Sequence, residues 1–108
     1  MNAQKFEKVL TEQLDYCASL LRSKGVEYTE DNTDRLIAFK TAAELQRTDQ
    51  KQALCGMMVK HTVSIYEMCY SGKDYSLDKW IEKITDHINY LLLLRAVIED
   101  ENVESNRT

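Results

Sequence analysis

The sequence has no proline and only three glycines in 108 residues. An all-β domain turns every few residues and draws on both types to do so, which excludes that class. Long apolar runs are also missing. The longest, Tyr90 to Leu94, is far short of the roughly 20 residues a membrane-spanning helix needs. No basic-then-apolar leader pattern opens the chain, so a cytoplasmic location is expected and no membrane partner. The cysteines Cys17, Cys55 and Cys69 are odd in number and lack CxxC spacing. They signal neither a disulfide framework nor a zinc knuckle and are expected as reduced core thiols. Basic clusters are lacking too: 14 Lys and Arg stand against 18 Asp and Glu, for a formal charge of -4. A duplex binder needs a clustered positive footprint, so nucleic acid is not an expected partner. A small anion remains open, since it requires only a few convergent donors.

What is present is a soluble-type composition, 44% hydrophobic and 30% charged, in a chain of single-domain length. A core of this size leaves little surplus stability, so a homo-oligomer is expected. The periodicity predicts an all-α domain of about four helices in a compact antiparallel bundle over residues 1–98, with 99–108 as a frayed or disordered acidic tail.

The first predicted helix spans Asn2 to Lys24, its apolar face being Phe6, Val9, Leu10, Leu14, Cys17, Leu20 and Leu21, with Gly25 as a left-handed C-terminal cap. Asp31, Asn32 and Thr33 offer caps for a second helix reaching about Arg47, with Leu36, Phe39 and Ala42 or Ala43 on a narrow stripe. Thr48 or Asp49 opens a third, carrying Leu54, Met57, Met58, His61, Ile65, Met68 and Cys69. Gly56, costly in mid-helix, suggests a close crossing there. Ser76 caps a fourth, on which Leu77, Ile81, Ile84, Ile88, Leu91 and Ile98 recur with helical period.

Polar residues set into the fourth helix carry the functional signal. Glu82, Asp86 and Asn89 stand at i, i+4 and i+7, and their side continues into Leu93 and Ala96, so a polar row runs into an apolar one and borders a cavity. Two carboxylates one turn apart can hold a divalent cation or accept hydrogen bonds from a base or ribose. The plainer alternative is ion pairing of Glu82 and Asp86 with Lys79, Lys83 or a neighbouring helix. On the third helix Lys60, Ser64 and Glu67 share a face beside His61. Lys60 could meet a phosphate as a point charge while His61 and Ser64 donate directional hydrogen bonds, although a lone histidine on an apolar stripe is more often a core residue. No Gly-rich nucleophile elbow or phosphate loop is present, which weakens the case for covalent catalysis.

The stretches Tyr28 through Phe39, Met57 through Ile65 and Glu82 through Tyr90 resemble small bacteriophage proteins at the edge of the MazG-like superfamily, closest to its nucleotide-modification-associated branch. That resemblance implies an all-α, oligomeric scaffold and, in many members, a magnesium-dependent nucleoside triphosphate pyrophosphohydrolase with acidic pairs on two successive helices. Here Glu82 and Asp86 match the second pair with one extra residue between them. The first pair is missing, and its face offers Lys60, His61 and Ser64. A cationic face binds phosphate itself rather than magnesium. The leading expectation is therefore a phage protein of the infected cytoplasm that captures a small phosphorylated nucleotide, a host immune signal being one candidate, without a cofactor. Lys60, His61 and Ser64 would take phosphate, and Glu67, Glu82, Asp86 and Asn89 would complete the site. The enzymatic alternative uses Mg held by Glu67, Glu82 and Asp86, aided by Asp31 or Asp34. A third reading is a helical module that inhibits a host enzyme.

Overall fold

The computed structural model describes residues 1–28 and 34–107, with side chains described for 1–26 and 34–102. Four helices account for nearly all of this: α1 (Ala3–Tyr28), α2 (Ile37–Gln46), α3 (Gln50–Tyr70) and α4 (Leu77–Arg107). No strand occurs among the described residues. The expected all-α bundle is the architecture, and no helix is long and apolar enough to cross a membrane.

Local chemistry explains most boundaries. Asp49 opens α3 with a reciprocal capping box: its carboxylate accepts from the Gln52 backbone N–H at 2.8 Å while the Gln52 side chain accepts from the Asp49 N–H. The Thr48 hydroxyl also donates to the Gln52 side chain. Arg47, at φ 54, supplies the left-handed residue that ends α2. Ser76 caps α4 by accepting from the Lys79 N–H at 3.1 Å. Ahead of α2, whose N-cap is Leu36, the Asp34 carboxylate accepts from the Leu36 N–H at 2.9 Å and from Lys40 at 2.6 Å, which pins the turn leading into the helix. The proposed caps Asp31, Asn32 and Thr33 lie outside the described residues.

Three expectations about boundaries require correction. Gly25 does not end α1, which continues to Tyr28; the positive φ expected there occurs instead at Gly72, in the link to α4. Nor does α4 stop at Ile98. It runs to Arg107, and salt bridges from Lys40 to Asp100 at 3.4 Å and from Lys51 to Glu101 at 2.8 Å hold its last described side chains against α2 and α3. Gly56 marks no close crossing, since a methyl group built on it would meet open space.

The core sits where α2, α3 and the C-terminal half of α4 meet, in Leu36, Phe39, Leu54 and Val97, flanked by Met57, Tyr90, Leu93 and Leu94. α2 and α3 form a hairpin, and α3 runs antiparallel to α4, as the pairs Lys51–Glu101 and Thr62–His87 require. α1 packs chiefly on α4. Its Gln13 amide donates to the Thr85 hydroxyl at 2.7 Å, and Cys17 is buried beside it. Because α1 touches so little else, Phe6, Val9, Leu10 and Leu14, expected on its buried face, are exposed. Cys55 and Cys69 also depart from expectation: they lie exposed on α3, leaving Cys17 as the buried thiol.

Among the described side chains of α4 the buried residues are Thr85, Asn89 and Val97, whereas Leu77, Ile84, Leu91 and Ile98 of its most regular stripe are exposed. Apolar residues occupy two arcs of this helix, and packing selects the arc containing Val97. The molecule is correspondingly extended, 50 × 30 × 27 Å, with a radius of gyration of 16.4 Å where a compact chain of this length has about 13 Å.

Candidate functional site

A hollow of about 320 Å³ opens between the C-terminal end of α1, the start of α2, the middle of α3 and the middle of α4. Each helix contributes a different chemistry. α1 brings Leu20, Leu21 and Lys24; Arg35 arrives from the turn before α2, with Ala38 and Phe39 behind it. α3 supplies Met57 and His61, one turn apart, and α4 supplies Asp86, Asn89, Tyr90 and Leu93. The floor is thus apolar and aromatic, and the described residues bring two basic groups, one carboxylate, one imidazole and one amide to it. Small-ligand sites are commonly built this way, a mainly apolar surface with a few placed polar groups.

Asn89 is the most constrained of these groups. It is 7% exposed, lines the hollow, and its Oδ1 has no hydrogen-bond partner. A buried amide oxygen left unpaired costs about 1–3 kcal/mol, so a donor arriving in the hollow would recover that loss. The His61 ring lies against Tyr90, centroids 4.8 Å apart and planes tilted by 34°. Burial holds its pKa below the usual histidine value; Asp86 opposes this, while Lys83, Lys60 and His87 reinforce it. His61 therefore presents a neutral ring at neutral pH, able to donate from one nitrogen and accept at the other.

Arg35 reaches back over α1. Its Nη2 donates to the Leu21 carbonyl at 3.5 Å, and its Nε would lie 2.9 Å from a Cβ built on Gly25. This close approach gives Gly25 a role that capping does not: the bare α-carbon leaves room for the Arg35 side chain against the helix. Lys24 is adjacent in sequence, so two cationic side chains border the same edge of the hollow.

Of the residues expected to form a site, the structure brings His61, Asp86 and Asn89 together. Lys60, Ser64, Glu67 and Glu82 do not line the hollow. Lys60 and Glu67 are exposed on α3, rotated away from the His61 face. Glu82 shares the Asp86 side of α4 but sits one turn earlier, beyond the end of the hollow, and is exposed. Among the described residues no three His, Cys, Asp or Glu side chains gather into a group able to hold a metal ion. Glu67, Glu82 and Asp86 are no exception. Asp34 is engaged with Lys40, and Asp31 lies outside the described residues. Lys24 and Arg35 also line the hollow, and each comes from a segment whose place in the site depends on how α1 meets α2. The chain matches no family model, no curated protein and no solved structure.

Proposed function

We propose that this protein binds a small phosphorylated nucleotide in the hollow between α1 and α4 and retains it without hydrolysis. The supporting observation is the unpaired Asn89 Oδ1 set in an apolar hollow that carries Lys24 and Arg35 on one edge. A nucleobase offers the two surfaces such a place satisfies: N–H donors for the amide oxygen, and a flat ring for Tyr90 and Phe39. Its phosphate finds Arg35 as a planar fork and Lys24 as a point charge. Asp86 accepts from a sugar hydroxyl or a further base N–H. The volume, about 320 Å³, is at the small end of the roughly 300–1,000 Å³ typical of such sites, which favours a mononucleotide over an extended dinucleotide.

Retention rather than turnover follows from the charge arrangement. Magnesium-dependent cleavage of a triphosphate draws on several converging carboxylates, and among the described residues Asp86 is the single carboxylate lining the hollow. The resemblance to phage proteins of the MazG-like superfamily adds a biological setting, capture of a host nucleotide signal during infection. That setting is an analogy at the level of family pattern.

Isothermal titration calorimetry of the purified chain against linear and cyclic mononucleotides tests the reading. Heat with at least one nucleotide, reduced tenfold or more in affinity by Asn89→Leu and by Arg35→Ala, is the expected result. No heat with any nucleotide, or binding accompanied by pyrophosphate release, would overturn it.

A further inference from the structure

The outward stripe of α4 has the spacing of a helix-pairing seam. Leu77, Ile84, Leu91 and Ile98 recur every seventh residue, with Ile81 and Ile88 four residues after the first two intervals begin. This 4–3 alternation keeps one strip of an α-helix apolar and presents it to a partner helix. Exposure is 72% for Leu77, 38% for Ile84, 49% for Leu91 and 37% for Ile98, while Ile81 and Ile88 between them are half-buried, so the described residues leave the outer line of the strip uncovered. A second apolar line, Val59, Val63, Tyr66 and Tyr70, runs exposed along α3 at the same helical spacing.

The surface area shows how much is left to cover. The chain exposes 8224 Å², against about 6,200 Å² for a folded monomer of this mass. The surplus of about 2,000 Å² exceeds the roughly 800 Å² that each partner contributes to a standard interface.

We propose that the α4 strip is a homodimer interface, in which a second copy of this chain packs antiparallel across it. The strip is self-complementary in that orientation. With the two-fold axis beside Ile88, Leu77 meets the partner's Ile98 and Ile84 meets the partner's Leu91, so the four positions spaced by seven pair apolar with apolar. Arg95 selects the direction. It interrupts the strip, held by its own Glu99 at 2.7 Å. A parallel pair would press Arg95 against the partner's Arg95, whereas the antiparallel pair sets it across from the partner's Trp80, where a guanidinium can rest on the indole face. The hollow lies on the other side of α4, among Asp86, Asn89 and Leu93, and stays open in the dimer. This interface is independent of the nucleotide reading.

Sedimentation equilibrium is the first test. At protein concentrations of about 50 µM the chain is expected as a dimer, and a variant combining Ile84→Glu with Leu91→Glu as a monomer of unchanged helical circular dichroism. Should the acidic variant unfold, oxidative cross-linking decides instead, in a background carrying Cys55→Ser and Cys69→Ser. Leu77→Cys together with Ile98→Cys should give a covalent dimer, and Leu77→Cys alone should not. A monomeric wild type, a folded acidic variant that still dimerises, or efficient cross-linking by Leu77→Cys alone would overturn the proposal.

Discussion

Asn89 sets binding against stability. Replacing it with leucine removes the unpaired oxygen and adds apolar contact in a buried position, so Asn89→Leu should unfold at the same temperature as the wild type or higher while losing its ligand. Thermal denaturation and calorimetry on one sample separate the two effects, and a large loss of stability would show that the amide serves the fold. His61 gives a pH signature. Its pKa is lowered in the folded chain, so between neutrality and about pH 5 the unfolded state takes up the proton first and the fold loses stability. Urea midpoints across that range should fall as the pH drops, and His61→Gln should flatten the slope. The polar row on α4 was legible in sequence because an aspartate and an asparagine inside an apolar helix must find partners. Lys24 and Arg35 were not, because nothing local marks them as neighbours: ten residues separate them, and only the docking of α1 beside α2 brings them to one edge.

The two helical glycines make opposite predictions. Gly56→Ala meets open space and gains helix propensity, so it should stabilise α3 by about 0.5–1 kcal/mol, or several degrees in melting temperature. Gly25→Ala gains the same propensity but drives its Cβ to 2.9 Å from Arg35 Nε, and that flexible side chain must move aside. Stability should change little while nucleotide affinity falls several-fold, which a paired melt and titration would reveal; unchanged affinity would remove Arg35 from the site. At this scale the reading from sequence succeeded where local chemistry decides, as at Asp49 and Ser76. It failed on the buried face of α4, because a helix with apolar residues on two arcs carries two valid periodicities and only its neighbours choose between them. The evenly spaced Leu77 to Ile98 line looked like core and is surface.

At the scale of the whole molecule, the fold is two antiparallel steps, α2 to α3 and α3 to α4, with α1 laid against α4 from a distant part of the chain. The number of helices was readable from a proline-free sequence with clear periodicities and breaks, but the extended shape was not, since pattern reports which faces are apolar and says nothing about whether a partner lies within the same chain. If the surplus surface is covered by a second copy, the melting temperature should rise with protein concentration, and Ile84→Glu should abolish that dependence.

The Gln13–Thr85 contact joins segments 72 residues apart, and α1 meets most of the remaining structure only through that side of α4. A helix held by so few tethers opens more readily than the rest, and sub-global openings of this kind set how fast individual amides trade protons with solvent. α1 also forms one wall of the hollow, so an occupant bridging Leu21 or Lys24 to Asn89 would act as an additional clasp. Deuterium uptake over residues 13–24 should then slow markedly when the hollow is filled, while the α2–α3 hairpin, already closed without it, should slow much less.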